Sequence, residues 1–396
     1  MCATLVDQWI RDGVTTAIIA PGSRSTPMAL AIAHRPEIRI EVFHDERSAS
    51  FAAVGVGLAT SVPALLLCTS GTAATHFHAA VVEADLSAVP MLVLTADRPP
   101  ELHDVGAAQT IDQTKLYGAA VRWFHDPGVA ALEAAQTWRA LARNAFESAT
   151  AEGGGPVHLN LPFREPLIAE SEELPDAHLG PVGTTERTVR LGTLAMELDR
   201  ERGLIIAGRG VDDVAAVERL AAATRWPVLA DPRSGCRGIV GAISAFDAIL
   251  RHDGFAASHV PDVVVHLGEP PASKVLATWL GDAAGTQVAV SASRRVIDPS
   301  HVITHRVTAP VGAFCSRLAK ELRGATGTDW SSRWEGVHQQ VVQAWAPMLG
   351  GVDPLTEPAV AHVVSRFDGT VVLASSMPIR DVEWFGSSDQ RATMFS

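Results

Sequence analysis

The chain has 396 residues, 47% of them hydrophobic and 19% charged. That excludes a disordered polypeptide and exceeds one ordinary core, so two or three domains are expected. A balance of 32 basic against 44 acidic residues, net −12, argues against nucleic acid or an anionic membrane as the main partner. In chain order, Met1–Gly13 reads as an amphipathic helix start, not a signal peptide, and no run approaches 18 consecutive apolar residues. Strand-length apolar runs follow at Thr16–Ala20, Arg39–Phe43, Ala64–Cys68 and Met91–Leu94, alternating with helical stretches as far as Leu161. Arg164–Arg187 is rich in Pro, Glu and Gly and reads as a linker. A second alternating block has strands at Gly203–Ala207, Val228–Leu229, Asp262–Leu267 and Gln287–Val290, with helices at Val211–Ala223 and Lys274–Gly281. Asp329–Leu349 reads as a long amphipathic helix. Pro354–Phe367 and Pro378–Phe385 read as helices around a fully buried strand at Thr370–Ser375. One strand and two helices cannot bury their own apolar faces, so the expectation is a third domain only begun, in a fragment of a longer protein. Cys2, Cys68, Cys236 and Cys315 are widely spaced, and read as reduced thiols of a cytoplasmic protein.

The fold expected is α/β, with open parallel sheets flanked by helices. Each of the first four strands is followed by a chemically distinctive turn: Pro21-Gly22-Ser23-Arg24-Ser25-Thr26-Pro27, Phe43-His44-Asp45-Glu46-Arg47, Thr69-Ser70-Gly71-Thr72-Ala73 and Thr95-Ala96-Asp97-Arg98-Pro99-Pro100-Glu101. Ligands of open parallel sheets bind at the carboxyl ends of the strands. Such an end would collect Arg24, Glu46, Ser70, Arg98 and nearby Gln109, a set suited to an anionic ligand beside one carboxylate.

These turns, together with His158-Leu159-Asn160-Leu161-Pro162-Phe163-Arg164-Glu165-Pro166-Leu167 and Ser375-Ser376-Met377-Pro378-Ile379-Arg380-Asp381, resemble the 2-succinyl-5-enolpyruvyl-6-hydroxy-3-cyclohexene-1-carboxylate synthases. Those are thiamine-diphosphate enzymes of menaquinone biosynthesis. The resemblance implies a thiamine-diphosphate-binding fold with a pyrimidine-binding domain (1–168), a linker (169–187), a central α/β domain (188–349) and the start of a diphosphate-binding domain (350–396). It implies a transferase that joins the succinyl semialdehyde unit from decarboxylated 2-oxoglutarate to isochorismate. Thiamine diphosphate and Mg²⁺ or Mn²⁺ would be the cofactors, in a cytoplasmic homodimer or homotetramer. No metal ligand is expected in this sequence; the resemblance places those beyond Ser396, and the fragment alone is expected to be inactive.

The same resemblance assigns the site. Glu46 would be the catalytic carboxylate beside the cofactor's pyrimidine N1′, with Ser70 and Gly71 along that ring. Ser23, Arg24, Arg98, Gln109, Lys274, Ser376 and Arg380 would bind substrate. Ala108, before Gln109, stands where many members have Asn. Each residue also has a structural reading. Glu46 at a helix start is favoured by the macrodipole and by Arg47. Ser25, Thr26, Ser70 and Ser376 can cap helices, and Arg98 can pair with Asp97 or Glu101. Arg24 has no such local account, and its planar fork suits a carboxylate. Two substrates with two carboxylates each explain why cations converge.

Other patterns are weaker. His76 and His78 lie two apart on a predicted helix and cannot chelate one metal from a shared face. Gly208-Arg209-Gly210 lacks the full dinucleotide-turn spacing. Arg294-Arg295 reads as a solvated pair, with an anionic regulator as a minor alternative. Two rival functions fit the sequence: an acetolactate-synthase-like carboligase, disfavoured by the cationic set, and a folded but catalytically silent piece.

Overall fold

The computed structural model describes residues 1–151, 153–168, 174–177, 189–283, 285–293, 297–322, 329–350 and 355–396. The chain divides into two compact units, 1–185 and 186–396. Arg294-Arg295 and most of the expected linker lie outside the described residues.

The first unit contains helix α1 (Cys2–Arg11), strand β1 (Thr16–Ile19), α2 (Thr26–Ala33), β2 (Arg39–Val42), α3 (Glu46–Thr60), β3 (Ala64–Cys68), α4 (His78–Leu86), β4 (Met91–Asp97), β5 (Trp123–His125), α5 (Trp138–Thr150) and β6 (Pro156–Pro162). Its strands form one six-stranded sheet in the order β2-β1-β3-β4-β6-β5, parallel throughout. The inner strands are buried at nearly every position because both faces are covered. Leu65 and Leu67 join Leu5, Trp9, Leu94 and Ala142 on one face, while Leu66 and Cys68 join Ile18, Phe77, Val93 and Tyr117 on the other. That is the period-2 alternation of a strand. Edge strand β2 has no fully buried residue, and the charges of Arg39 and Glu41 discourage further pairing there. Helix α1 is locked to α5: Trp9 Nε1 donates to Ala142 O at 2.9 Å and Arg139 Nη1 to Asp7 Oδ2 at 2.7 Å.

The second unit contains α6 (Leu194–Leu198), β7 (Gly203–Ala207), α7 (Val214–Thr224), β8 (Val228–Ala230), β9 (Ala242–Ile243), α8 (Phe246–Leu250), α9 (Asp253–Ser258), β10 (Val263–Leu267), α10 (Lys274–Gly281), β11 (Thr286–Ser291), β12 (His305–Thr308), α11 (Val311–Glu321) and α12 (Trp330–Leu349). Its six strands run in the order β12-β11-β10-β7-β8-β9, again all parallel. Helix α7 begins three residues later than expected because Asp213 caps it, its Oδ1 accepting the Ala216 N–H at 2.9 Å. The short strands β5, β9 and β12 lacked a sequence signal.

The final stretch holds α13 (Glu357–Ser365), β13 (Thr370–Val372), α14 (Met377–Phe385) and β14 (Thr393–Phe395). Strand β13 is not the fully buried strand expected. Among the described residues it pairs only with β14, and Val372 is 78% exposed. A two-stranded ribbon covers too little surface to bury its own faces. The cysteines are all free; Cys68, Cys236 and Cys315 are buried and Cys2 is half-buried.

Candidate active site

At the carboxyl end of the first sheet, register brings the sequence motifs together. β1 pairs with β3 and β3 with β4, matching Ile19 to Leu67 and Cys68 to Thr95. The turns that follow these strands therefore emerge side by side.

Glu46 is the first residue of α3. Asp45 caps this helix, its Oδ1 accepting the Ser48 N–H at 2.7 Å, which fixes the point where the chain leaves extended backbone and Glu46 enters the helix. Glu46 is half-buried and makes no hydrogen bond or ion pair among the described residues, so pairing with Arg47 does not account for it. Its charge reaches the Cys68 thiol at the end of β3; burial first, then Glu46, push that thiol well above its ordinary value.

Gly71 has φ +88°, a left-handed conformation that favours glycine. A Cβ there would stand 3.0 Å from the Gln109 carbonyl, so the turn also needs the missing side chain. Gln109 itself is held at φ +54°, with its side chain exposed. Ser70 is buried, yet its hydroxyl has no partner and caps no helix. Thr69 Oγ1, Arg24 Nε and Arg98 Nε are likewise buried without partners. Buried polar atoms are normally satisfied. Four such atoms in turns from adjacent strands mark a surface suited to a polar ligand.

Arg24 is 4% exposed, and its Nη1 donates to Phe163 O at 2.9 Å and its Nη2 to Glu165 Oε1 at 3.2 Å. The chain thus offers Arg24 a carboxylate of its own, from the motif after β6. Ser23 is exposed in the same turn. Neither Ser25 nor Thr26 caps α2; Ser25 Oγ donates to Gly22 O at 2.9 Å and tightens the turn. Arg98 does not take the neighbours expected of it. Asp97 accepts from Asn160 Nδ2 at 2.8 Å, and Glu101 from Arg164 at 2.5 and 2.8 Å.

Sequence reasoning missed the support beneath these turns. Gln113 is 1% exposed; its Oε1 accepts the Gly71 N–H at 2.8 Å, and its Nε2 donates to Ala96 O at 3.1 Å and Asn160 Oδ1 at 2.8 Å. Asn160 Oδ1 also accepts from Thr95 Oγ1 at 2.9 Å, and that hydroxyl meets His158 Nε2 at 2.7 Å. Burial lowers the His158 pKa to about 3 and raises that of Asp97. His158 and Asn160 inside a fully buried strand were the available signal; Gln113 lies in irregular chain, where no periodicity marks it.

The second unit carries the other expected residues. Lys274 is the first residue of α10 and is exposed. Ser376 is exposed ahead of α14 and makes no cap bond; Arg380 is half-buried on that helix. At the end of β7, Gly208 is no dinucleotide turn. A Cβ on Gly208 would overlap Glu269 O, and one on Gly268 would overlap Arg209 O. The turns after β7 and β10 therefore interlock, braced by Arg209 Nε to Glu269 Oε2 at 3.0 Å. His76 lies in the last turn of a 3-10 helix that ends at Phe77, and His78 opens α4. Among the described residues no group of three or more His, Cys, Asp or Glu is placed to hold a metal ion.

Comparison with known proteins decides the family. Residues 2–116 match the thiamine pyrophosphate enzyme N-terminal TPP-binding domain, and 183–369 match the middle domain of such enzymes. The chain is 40% identical to the 2-succinyl-5-enolpyruvyl-6-hydroxy-3-cyclohexene-1-carboxylate synthase of Thermobifida fusca, over 97% of this chain and 70% of that protein. It is 38% identical to the synthase of Rubrobacter xylanophilus and 37% to that of Haloarcula marismortui, each over 97% of this chain and 71% of the relative. The chain belongs to this synthase family. It is accordingly a thiamine-diphosphate enzyme, and its first-sheet site fits the pyrimidine end of that cofactor: a half-buried carboxylate at a helix start, a turn that excludes a Cβ, and unpaired hydroxyls at Thr69 and Ser70.

Proposed function

We propose that this chain carries the pyrimidine-recognising carboxylate and substrate-binding cations of a 2-succinyl-5-enolpyruvyl-6-hydroxy-3-cyclohexene-1-carboxylate synthase. Its substrates are 2-oxoglutarate and isochorismate, and its product is a menaquinone precursor. The observation that carries this reading is Glu46, fixed at the start of α3 by the Asp45 cap and free of protein partners among the described residues. Thiamine diphosphate, when bound, supplies the carbanion chemistry for decarboxylating a 2-oxo acid and transferring the remainder. Glu46 holds the proton shared with the pyrimidine N1′, a task that needs a rigid, partly desolvated carboxylate. Ser70 and the Gly71 turn line the ring. In the first unit Arg24 and Arg98 are substrate-binding cations and Ser23 and Gln109 polar substrate contacts; in the second, Lys274 and Arg380 are substrate-binding cations and Ser376 a polar contact.

Mg²⁺ would accompany the cofactor diphosphate, on ligands other than the residues named here. The assembly we propose is at least a homodimer. The net charge of −12 and the lack, among the described residues, of any helix long and apolar enough to cross a membrane support a cytoplasmic enzyme without nucleic-acid or membrane partners. The deciding experiment is Glu46→Gln in the full-length enzyme. Turnover of isochorismate and 2-oxoglutarate should fall about 10³-fold with folding intact; a variant that keeps wild-type kcat would overturn the assignment.

A further inference from the structure

Arg237 and Glu383 are 2% and 1% exposed, and the function above leaves both without a role. Turns after β8 carry Arg237 back beneath the sheet's carboxyl end, where its Nε donates to Ala230 O at 3.1 Å. Its Nη1 donates to Val382 O at 2.9 Å and its Nη2 to Glu383 O at 2.8 Å. These are carbonyls of the last turn of α14, the end of a helix that attracts a cation; Val382 O also accepts the Gly386 N–H at 2.9 Å. One guanidinium thus ties α14 to β8.

The Glu383 side chain reaches a different element. Its Oε2 accepts the Ala272 N–H at 2.8 Å. The next residue, Ser273, caps α10, its Oγ accepting the Leu276 N–H at 3.0 Å and donating to Asp247 Oδ2 at 2.5 Å. Lys274 follows directly. Arg380 precedes Glu383 by one turn of α14, and Ser376 stands ahead of that helix. The two buried side chains therefore join the start of α10, which carries Lys274, to the helix that bears Arg380.

This arrangement is costly as packing alone. Glu383 Oε1 is buried with no partner. Burial, with Asp231 adding to it, raises the Glu383 pKa to about 8, and burial lowers that of Arg237 to about 10. Apolar residues of similar volume commonly hold a fold as well as buried ions or better. What they lack is direction: three guanidinium bonds and one carboxylate bond fix the angle and register of α14 against β8 and α10.

We infer that Arg237 and Glu383 are positioning residues for the acceptor substrate, setting Lys274 in register with Ser376 and Arg380. The inference rests on the reading of those three residues as isochorismate contacts. The test is steady-state kinetics of the full-length enzyme in isochorismate, at saturating 2-oxoglutarate and thiamine diphosphate. Glu383→Met keeps the volume and removes the buried acid. It should retain or gain thermal stability while KM for isochorismate rises about tenfold and kcat stays within about threefold. Glu383→Gln keeps an oxygen for the Ala272 N–H and should bring KM back to within about twofold of wild type. A purely structural residue would move stability and KM together without rescue by Gln, and that result overturns the inference. Arg380→Ala is the control for the underlying reading. If it raises KM while Glu383→Met does not, the positioning role fails and the contact reading stands. If Arg380→Ala and Lys274→Ala both leave KM unchanged, the contact reading itself fails. Should Glu383→Met not fold, Arg237→Lys carries the same comparison, because a single ammonium cannot reproduce the three-carbonyl fork.

Discussion

The two six-stranded parallel sheets share one plan but differ where their strands end. Strand order reverses between β1 and β3 in the first sheet and between β7 and β10 in the second, and such a reversal is where ligands of this architecture bind. At the first reversal, the turns leave buried polar atoms of Arg24, Thr69 and Ser70 unpaired. At the second, Gly208 and Gly268 let the two turns meet in direct backbone contact, and the Arg209–Glu269 pair closes the gap. Two parallel sheets thus present one open reversal point and one shut. Function follows the turns rather than the sheet.

The sharpest way to break this contrast is to pry the second reversal apart. Gly268→Ala places a Cβ against Arg209 O at a residue with φ +76°. It should cost the second unit about 4 kcal/mol in chemical denaturation, whereas Gly281→Ala, with open space around it, should cost little. An equal, small loss at both positions would show that the interlock is not a structural requirement. In the first sheet, Gln113→Leu strands the Gly71 N–H and removes a donor from Asn160 Oδ1. A loss of about 2 kcal/mol is expected, together with weaker thiamine diphosphate binding by calorimetry on the proposal that the Gly71 turn lines the cofactor ring. Unchanged affinity would separate that turn from the cofactor. The effect of pH is spread over a wide range, so it is small per pH unit. His158 has its folded pKa lowered to about 3 by burial, so between there and about 6.5 the unfolded chain binds a proton that the native state does not. Its contribution is fully present above the unfolded pKa and is lost as pH falls through that window. The slope is at most about 1.4 kcal/mol per pH unit. His158→Gln should flatten the stability profile of the first unit there; an unaltered slope would mean that another group controls it.

Much of this was legible in the sequence because both faces of each sheet are buried. Continuous apolar runs such as Ala64–Cys68 and Gly203–Ala207 have the same bounds in the structure as in the sequence reading. The strand-end turns were legible for the same reason, since each interrupts a buried run with Arg, Glu, Ser or Gly. Pairings that join distant segments were not. Glu165 lies 141 residues from Arg24, Gln113 42 residues from Gly71, and Glu383 111 from Ala272, and no local pattern encodes such partners. Helix capping misled in another way. Ser25, Ser70 and Ser376 stand where a cap would be expected, yet none bonds a helix amide with its side chain.

The protonated, enclosed cysteines turn the molecule into its own stopwatch. Burial pushes the Cys236 thiol up to about 12 and raises that of Cys68 as well, and only thiolates react readily with alkylating reagents. Pulsed alkylation read by mass spectrometry would therefore score Cys68 only when the first sheet opens, and Cys236 and Cys315 only when the second does. One unmodified protein would report two separate opening rates, with no dye, tag or substitution.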